Sequence, residues 1–302
     1  MFGSNKLPYN LPEIRGKYLK NVPLNKYTWF GVGGPAEVMF FPKDNDDLSF
    51  FLKNKLYNLP VMVIGGGSNL LVRDGGIPGV VIKLEASAFR KTEIREDEIT
   101  CGAGTRNATL KNTLIENGLG GLEFLCSIPG CLGGSIRTNA GCFGKSIKDV
   151  LLSVEIIDGQ GRQDKISPKD LNLSYRSSSF PDGWIITSLT LKTEKTNIET
   201  IKKTLEEQKE YRIKSQPYNQ RTAGSTFKNP EGLRAWELIK NAGCANMRIG
   251  GAKVSEKHAN FLVNDGNATA KDIETLGETI IKKVKEKTSI TLEWEIKRLG
   301  IE

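Results

Sequence analysis

Two glycine-rich stretches are the parts of this chain whose residue types and spacing could do chemistry. The first is Val63-Ile64-Gly65-Gly66-Gly67-Ser68-Asn69-Leu70-Leu71-Val72. The second is Ile128-Pro129-Gly130-Cys131-Leu132-Gly133-Gly134-Ser135-Ile136-Arg137-Thr138-Asn139-Ala140-Gly141. Residues without a β-carbon let the backbone come close to a ligand and aim N–H groups at it, which suits a large anion. Two such runs suit a long ligand lying across both, such as a dinucleotide. The first run is neither Gly-x-Gly-x-x-Gly opening a helix nor the phosphate loop that ends in Gly-Lys-Ser/Thr, which counts against a Rossmann site and an ATPase. One run alone would more often be a tight structural turn. The second shifts the balance toward a ligand cradle, because Pro129 fixes its entry, Gly133-Gly134 leaves bare backbone, and Asn139 sets an amide beside Ala140-Gly141.

Other chemistries have less to draw on. The chain holds one histidine, His258, and five cysteines, Cys101, Cys126, Cys131, Cys142 and Cys244, none in a Cys-x-x-Cys pair. That leaves no zinc cluster and no histidine to spare for a serine triad. An odd number of cysteines reads as free thiols filling core volume in a reducing compartment. The net charge of +8 fits lysine-rich helix faces such as Lys282, Lys283, Lys285 and Lys287, or an anionic ligand. No basic segment is interleaved with aromatics, so a phosphate-bearing small molecule is favoured over nucleic acid. No apolar run reaches the roughly 20 residues that span a bilayer. The stretch Met1–Pro8 lacks the apolar core of a secretory signal, so a cytoplasmic location is expected.

The elements that must position these runs are short and mixed. A length of 302 residues allows two or three domains. Residues 61–64 and 80–84 read as short buried strands. Asn107 to Asn117 reads as a helix with Leu110 and Leu114 on one face, stopped by Gly118. Val154–Asp158 and Arg162–Ile166 flank Gly159-Gln160-Gly161 as a hairpin. Ile185–Leu191 alternates as a strand with two different faces. After Lys195 the character changes, and Asn197 to about Lys214 reads as a charged helix with Ile198, Ile201 and Leu205 inward, ended by Gln216-Pro217. Further on come a short helix at 233–242, a strand at Phe261–Val263, a helix capped by Thr269, and a last strand at Thr291–Leu299. The capped helix has Ile273, Leu276, Ile280, Ile281 and Val284 on its apolar face. Without a regular βαβ rhythm, the fold class expected is α+β.

Taken in order, the motifs resemble those of the bacterial UDP-N-acetylenolpyruvoylglucosamine reductases, also called UDP-N-acetylmuramate dehydrogenases. The resemblance covers nearly the whole chain. It begins at Thr28-Trp29-Phe30-Gly31-Val32-Gly33-Gly34-Pro35-Ala36 and runs through Gly65–Val72, Gly102-Ala103-Gly104-Thr105, Gly121–Leu125 and Ile128–Gly144. It continues with Tyr175-Arg176-Ser177-Ser178-Ser179-Phe180, Ala223-Gly224-Ser225-Thr226-Phe227-Lys228-Asn229-Pro230 and Ile249–Ser255. It closes with His258-Ala259-Asn260-Phe261 and Leu292-Glu293-Trp294-Glu295-Ile296-Lys297. Each motif is weak alone; the ordered set is specific.

The resemblance implies a two-lobed FAD-binding domain like that of vanillyl-alcohol oxidase, with lobes at 1–84 and 85–196 and a flavin core at about 27–194. A C-terminal α+β substrate-binding domain would span 197–302, in the short form of the family. It implies NADPH as reductant, and an enolpyruvyl ether, UDP-N-acetylglucosamine enolpyruvate, reduced to UDP-N-acetylmuramate in peptidoglycan synthesis. Hydride would reach the methylene carbon, and a proton the adjacent one. By residue, Arg176 would bind the enolpyruvyl carboxylate, Ser225 would give the proton, and Glu295 would stabilise the enol with a raised pKa. Gly65, Gly66, Gly67, Ser68 and Asn69 would cradle the pyrophosphate. Ile128, Pro129, Gly130, Gly133, Gly134, Ser135, Asn139, Ala140 and Gly141 would line the pyrophosphate and the isoalloxazine. Asn229, Lys228, Arg212 and His258 would face the uridine-diphosphate end. Metal, nucleic acid and membrane have no expected part, and a monomer is the expected state.

Residue types alone favour none of the three catalytic positions. Without the family motifs, Arg176 reads as a surface or structural ion-pairing arginine, Ser225 as a turn serine after Gly224, and Glu295 as an exposed charge on an edge strand for which Glu293 is an equal candidate. Two departures from the family pattern are Gly31, where arginine is usual, and Ser127, where glycine is common. A flavin oxidase with another substrate, or a basic nucleotide-binding protein without catalysis, are the alternatives.

Overall fold

A computed structural model describes residues 7–302, so the first six residues of the segment read as lacking a secretory core lie outside the described residues. The chain forms two compact units. The first takes in the described residues up to Val22, Glu37–Gly66 and Gly79–Lys209; the second takes in Pro23–Ala36, Gly67–Pro78 and Glu210–Glu302. Each has its own apolar core.

In the first unit, the β-branched runs at Val61–Val63 and Ile77–Ile82 pair in parallel, Val61 against Val80. They close one side of a four-stranded sheet in the order Lys17–Pro23, Pro35–Phe41, Ile77–Ile82, Val61–Val63. A five-stranded antiparallel sheet follows, in the order Gln163–Ile166, Leu151–Ile157, Ile185–Lys192, Glu98–Gly102, Thr92–Arg95. Its centre is the strand expected to have two faces. Ile185, Thr187, Leu189 and Leu191 are all buried, whereas on the other face only Ile186 is. The expected hairpin joins Leu151–Ile157 to Gln163–Ile166. The expected helix runs over Leu110–Asn117 and ends where Gly118 turns left-handed at φ +59°, a conformation that costs glycine nothing in side-chain sterics.

In the second unit, Arg248–Ile249, Ala252–Val254 and Leu262–Asn264 form a three-stranded antiparallel sheet. The helix Ala270–Thr288 lies against it, burying Ile273, Leu276, Ile280 and Val284 as the periodicity expects. Its first turn is satisfied twice over. Thr269 and Asp272 form a reciprocal capping box, and Asp74 accepts the N–H groups of Ala270 and Lys271 at 3.0 Å each. Caps of this kind contribute about 1 kcal/mol.

Three local expectations need correction. Ile198 is 41% exposed and not inward, because in the helix Ile198–Ser215 only Ile201 is fully buried. The last strand is only Lys297–Leu299, since residues 291–296 meet their neighbour through an isolated bridge at Trp294 and form no continuous ladder. The strand Val61–Val63 is not buried, since Val61 and Met62 are half-buried and Val63 is 38% exposed at the edge of its sheet. The end of the first glycine run also forms a strand, Leu70–Val72, which pairs in parallel with Lys297–Leu299. That partner lies more than two hundred residues away in the chain, beyond any local signal.

Candidate active site

In the first unit the two glycine runs meet. A β-carbon on Gly65 would lie 2.7 Å from Cys131 Sγ, and one on Gly66 would lie 2.7 Å from Gly130 Cα. Both distances are below van der Waals contact, so glycine is required for the runs to touch. Asn107, fully buried, clamps the second run: its Nδ2 donates to Ile128 O at 3.1 Å and to Ser135 Oγ at 2.8 Å. The Ser135 hydroxyl in turn donates to Cys131 O, so it is spent inside its own short helix. Lys83, with a side chain only 12% exposed, donates from Nζ to Gly65 O at 2.7 Å, and burial holds its ammonium pKa below the usual lysine value.

The region leaves polar groups for a ligand. Among the described residues, Thr105 Oγ1 and Asn107 Oδ1 are buried without a partner. The N–H of Gly66 takes no part in the backbone bonds that tie the loops together. The Thr105 hydroxyl and the Gly66 N–H are donors that an anion such as the pyrophosphate of a dinucleotide would complete, whereas Asn107 Oδ1 is an acceptor and calls for a donor on the ligand.

Arg176 sits in the same unit on a tight turn. Ser174 and Ser177 exchange both backbone hydrogen bonds at 3.1 Å, leaving Tyr175 and Arg176 at the tip. Arg176 has φ +53°, an uncommon conformation for a residue with a β-carbon. Its guanidinium lies 5.2 Å from the Tyr175 ring centre, and its Nη1 donates to Gly141 O at 3.2 Å. Asn139, 3% exposed and itself at φ +40°, donates from Nδ2 to Ser174 O at 2.8 Å and accepts the Lys148 N–H at 3.0 Å. The second glycine run therefore ends by holding the turn that carries Arg176.

Ser225 and Glu295 come together in the second unit. Gly224 turns left-handed at φ +84° with open space where a β-carbon would point. Ser225 then pairs with Phe261, and Phe227 with Trp294. Thr226 between them donates its N–H to Asn260 O at 2.7 Å and accepts the Glu295 N–H at 2.8 Å. One residue thus separates Ser225 from the segment that carries Glu295. Two amides fix this arrangement. Asn260, buried, bonds both the N–H and the carbonyl of Phe227 at 3.0 and 2.8 Å. Asn69, from the first glycine run, donates from Nδ2 to Glu295 O at 3.2 Å, and its backbone carbonyl accepts the Lys297 N–H at 3.0 Å. Glu293, the rival carboxylate, is exposed and paired with Lys228 at 3.1 Å.

The remaining candidates have local partners. Asn229 Oδ1 accepts the Ala235 N–H at 3.0 Å, at the start of the helix Ala235–Asn241. Arg212 Nε donates to Gln216 Oε1 at 3.2 Å. His258 lies edge-on to Phe261 at 4.8 Å, and its Nδ1 accepts the Asn260 N–H at 3.2 Å. Burial holds its pKa below the usual histidine value, so the neutral ring presents its proton at Nε2. Of the two departures, Gly31 has φ +69° and carries the Arg221 side chain against it, whose Cδ would lie 3.3 Å from a β-carbon. Ser127 turns its hydroxyl back to Phe124 O at 2.9 Å.

Reading the residues alone misses the struts: Lys83, Asn107, Asn260 and the structural duty of Asn69 and Asn139. Each is a polar side chain whose partner is distant in sequence, so no spacing announces it.

Comparison with known proteins bears on the whole arrangement. Residues 36–167 match the family model described as FAD binding domain, and residues 216–299 match that of the UDP-N-acetylenolpyruvoylglucosamine reductase C-terminal domain. A UDP-N-acetylenolpyruvoylglucosamine reductase of Bradyrhizobium sp. (strain ORS 278) is 46% identical over 291 residues, covering 96% of this chain and 95% of the relative. Its counterpart from Paramagnetospirillum magneticum is 48% identical, covering 96% and 94%. The crystal structure of UDP-N-acetylenolpyruvylglucosamine reductase from Thermus caldophilus superposes with a TM-score of 0.82 at 34% identity, covering 95% of this chain and 100% of that one. The expected α+β architecture, a FAD-binding domain followed by the reductase C-terminal domain, is therefore present, and the chain belongs to the UDP-N-acetylenolpyruvoylglucosamine reductase family.

Proposed function

We propose that this protein is a cytoplasmic, NADPH-dependent flavoenzyme that reduces the enolpyruvyl ether of UDP-N-acetylglucosamine enolpyruvate to UDP-N-acetylmuramate, for peptidoglycan synthesis. The observation that carries the reading is the joining of Ser225 to the Glu295 segment through Thr226, with Glu293 engaged elsewhere. This supports a proton donor and a carboxyl group acting on one substrate.

Hydride exchange, first from NADPH and then toward the methylene carbon of the ether, is the chemistry FAD supplies when bound. The backbone N–H groups of the Gly65–Asn69 run and of Gly130 would hold its pyrophosphate, those of Leu132 and Gly133 being bonded to Thr105 O and Ala103 O. Ser135, Asn139 and Asn69 would serve that site through the loops they brace. Once the methylene carbon becomes a methyl group, negative charge resides on the adjacent carbon and spreads into its carboxylate. Arg176 binds that carboxylate through two parallel hydrogen bonds and stays charged throughout. Ser225 Oγ–H delivers a proton to the carbanionic carbon, and Glu295 stabilises the enol form beside it. One hydride and one proton added to the C=C bond give the lactyl ether, so the atoms balance. Asn229 and His258 Nε2–H are the donors proposed for the nucleotide end. Lys228 and Arg212 would act there after exchanging Glu293 and Gln216 for phosphate.

The test is an anaerobic visible spectrum of the purified protein, followed by NADPH and then the enolpyruvyl nucleotide. A flavin band that bleaches with NADPH and returns with the nucleotide supports cofactor, reductant and substrate together. A band that bleaches and stays bleached rules out the substrate. A colourless protein that cannot be reconstituted with FAD rules out the reading of the glycine runs.

A further inference from the structure

Asn139 is expected to line the flavin site, and its side chain is held by protein at both ends. The carboxamide is nearly fully buried, and both of its ends are engaged by protein: Nδ2 with Ser174 O at 2.8 Å, Oδ1 with the Lys148 N–H at 3.0 Å. Ser174 opens the two-residue turn that presents Arg176, and Ser177 closes it with paired backbone bonds. Two residues beyond Asn139, the Gly141 carbonyl accepts the Arg176 guanidinium at 3.2 Å. A single short segment thus grips both the backbone and the head of the arginine.

The grip has something to oppose. Arg176 is held at φ +53°, and Phe143, two residues beyond Gly141, also at φ +53°. A left-handed conformation costs an L-residue with a β-carbon roughly 1–2 kcal/mol, and such strain persists only where neighbours over-determine it. Asn139 itself stands at φ +40°, which asparagine tolerates better than most residues. Few residue types could both take that backbone and donate a hydrogen bond to Ser174.

We infer that Asn139 is the positioning residue for Arg176: its amide fixes the Ser174–Ser177 turn so that the guanidinium meets the substrate carboxylate. This rests on the carboxylate-binding role proposed for Arg176. A displaced clamp costs rate even when every catalytic group remains, and a shift of about 1 Å can cost about 10²-fold.

Two variants separate the possibilities. Asn139→Asp keeps the acceptor for Lys148 and tolerates the left-handed backbone, but it loses the donor to Ser174. Asn139→Gly removes both bonds without backbone strain and serves if the aspartate variant does not fold. Amide hydrogen exchange over residues 172–179 should quicken by about tenfold or more in either variant, with FAD still bound. Recovery with the enolpyruvyl nucleotide, measured in the FAD-loaded variant and divided by that variant's own rate of bleaching by NADPH, should slow by about 10–10²-fold. In an Arg176→Ala background the same substitution should cost less than about twofold, because the group being positioned is gone. Unchanged exchange, unchanged recovery, or an equal cost with and without Arg176 would each overturn the inference. A parent enzyme whose flavin fails to recover with the nucleotide would instead overturn the proposed function. The exchange measurement would still decide whether Asn139 holds the turn.

Discussion

The two units hold their candidate catalytic groups by opposite means. In the first, Arg176 stands on a two-residue turn in a conformation that its own β-carbon resists, and buried amide bonds keep it there. In the second, Ser225 follows a glycine that takes the left-handed position for it. Glu295 lies in an extended segment cross-linked by Thr226, Asn69 and the strand Leu70–Val72. One unit stores strain at its functional residue; the other assigns the difficult backbone to glycine and leaves the functional residues relaxed. A guanidinium at a turn tip can be aimed by a few contacts, whereas a proton donor must be held still relative to a neighbouring carboxyl, which favours extended, bridged backbone. The comparison can be broken at the chemistry, at the packing beneath it and at the strain itself.

The largest effect belongs to the proton donor. Ser225→Ala should leave bleaching by NADPH intact and slow recovery with the enolpyruvyl nucleotide by about 10²–10⁴-fold, the usual loss for a positioned acid. Stopped-flow absorbance of the two half-reactions separates them. Equal slowing of both would show that the second unit's relaxed segment serves binding and not proton transfer.

Next comes the packing under Glu295. Trp294 lies on Gly277 of the helix Ala270–Thr288 so closely that a β-carbon there would sit 2.2 Å from the ring. Its Nε1 donates to Glu278 at 2.9 Å, and the Arg298 guanidinium stacks 4.6 Å from its centre. Gly277→Ala must push the ring away. Overpacking costs about 1–3 kcal/mol, against about 1 kcal/mol gained from helix propensity, so a net loss of up to about 2 kcal/mol is expected in urea unfolding. A more stable variant would mean that the ring moves freely and does not brace Glu295.

A similar loss, tied to pH, is expected at Arg73. Its guanidinium forks onto Glu274 at 2.9 Å through two nitrogens and also reaches Gly300 O, tying the loop after Leu70–Val72 to the helix and the chain end. Hydrogen bonds from Arg73, then its charge and that of Arg298, hold the Glu274 carboxyl below its usual value. A folded-state pKa below the unfolded one stabilises the fold fully above the ordinary carboxylate range. That stability is lost as pH falls through the depressed value. Arg73→Ala should therefore remove about 1–2 kcal/mol at neutral pH and flatten the acid limb of a stability–pH curve. A parallel downward shift at all pH values would place the loss in packing and not in this pair.

How much of this was legible in the sequence follows the reach of each signal. Thr269 with Asp272, Gly118 after its helix and the alternation at 185–191 are local patterns, and each appears where the residues put it. The glycine runs announced close backbone approach, and the structure brings them within contact. What escaped is non-local. Leu70–Val72 carries no strand signal of its own beside the glycine run, and its pairing with Lys297–Leu299 is distant in the chain. Asn69 and Asn139 read as ligand amides because nothing in their own neighbourhoods predicts bonds to Glu295 and Ser174. Ile198 read as inward from helical spacing, but an apolar residue in the first turn is covered only if something packs there.

The smallest expected effect tests the strain directly. At Arg176, Ala keeps the β-carbon and Gly removes it, while both delete the guanidinium. Left-handed backbone costs Ala roughly 1–2 kcal/mol, and glycine's greater freedom in the unfolded chain returns about 0.4–1 kcal/mol of that difference. Arg176→Gly should therefore be about 0.5–1 kcal/mol more stable than Arg176→Ala in chemical unfolding, though both lose the carboxylate clamp. The second unit should show the mirror image: Gly224→Ala, at φ +84° with no atom within 4 Å of the new β-carbon, should cost a comparable amount from backbone strain alone. If the glycine and alanine variants at 176 were equally stable while Gly224→Ala lost stability, the turn would relax around alanine. Strain in the first unit would then follow from the arginine's contacts to Gly141 and Tyr175, and not from the backbone path that Asn139 enforces.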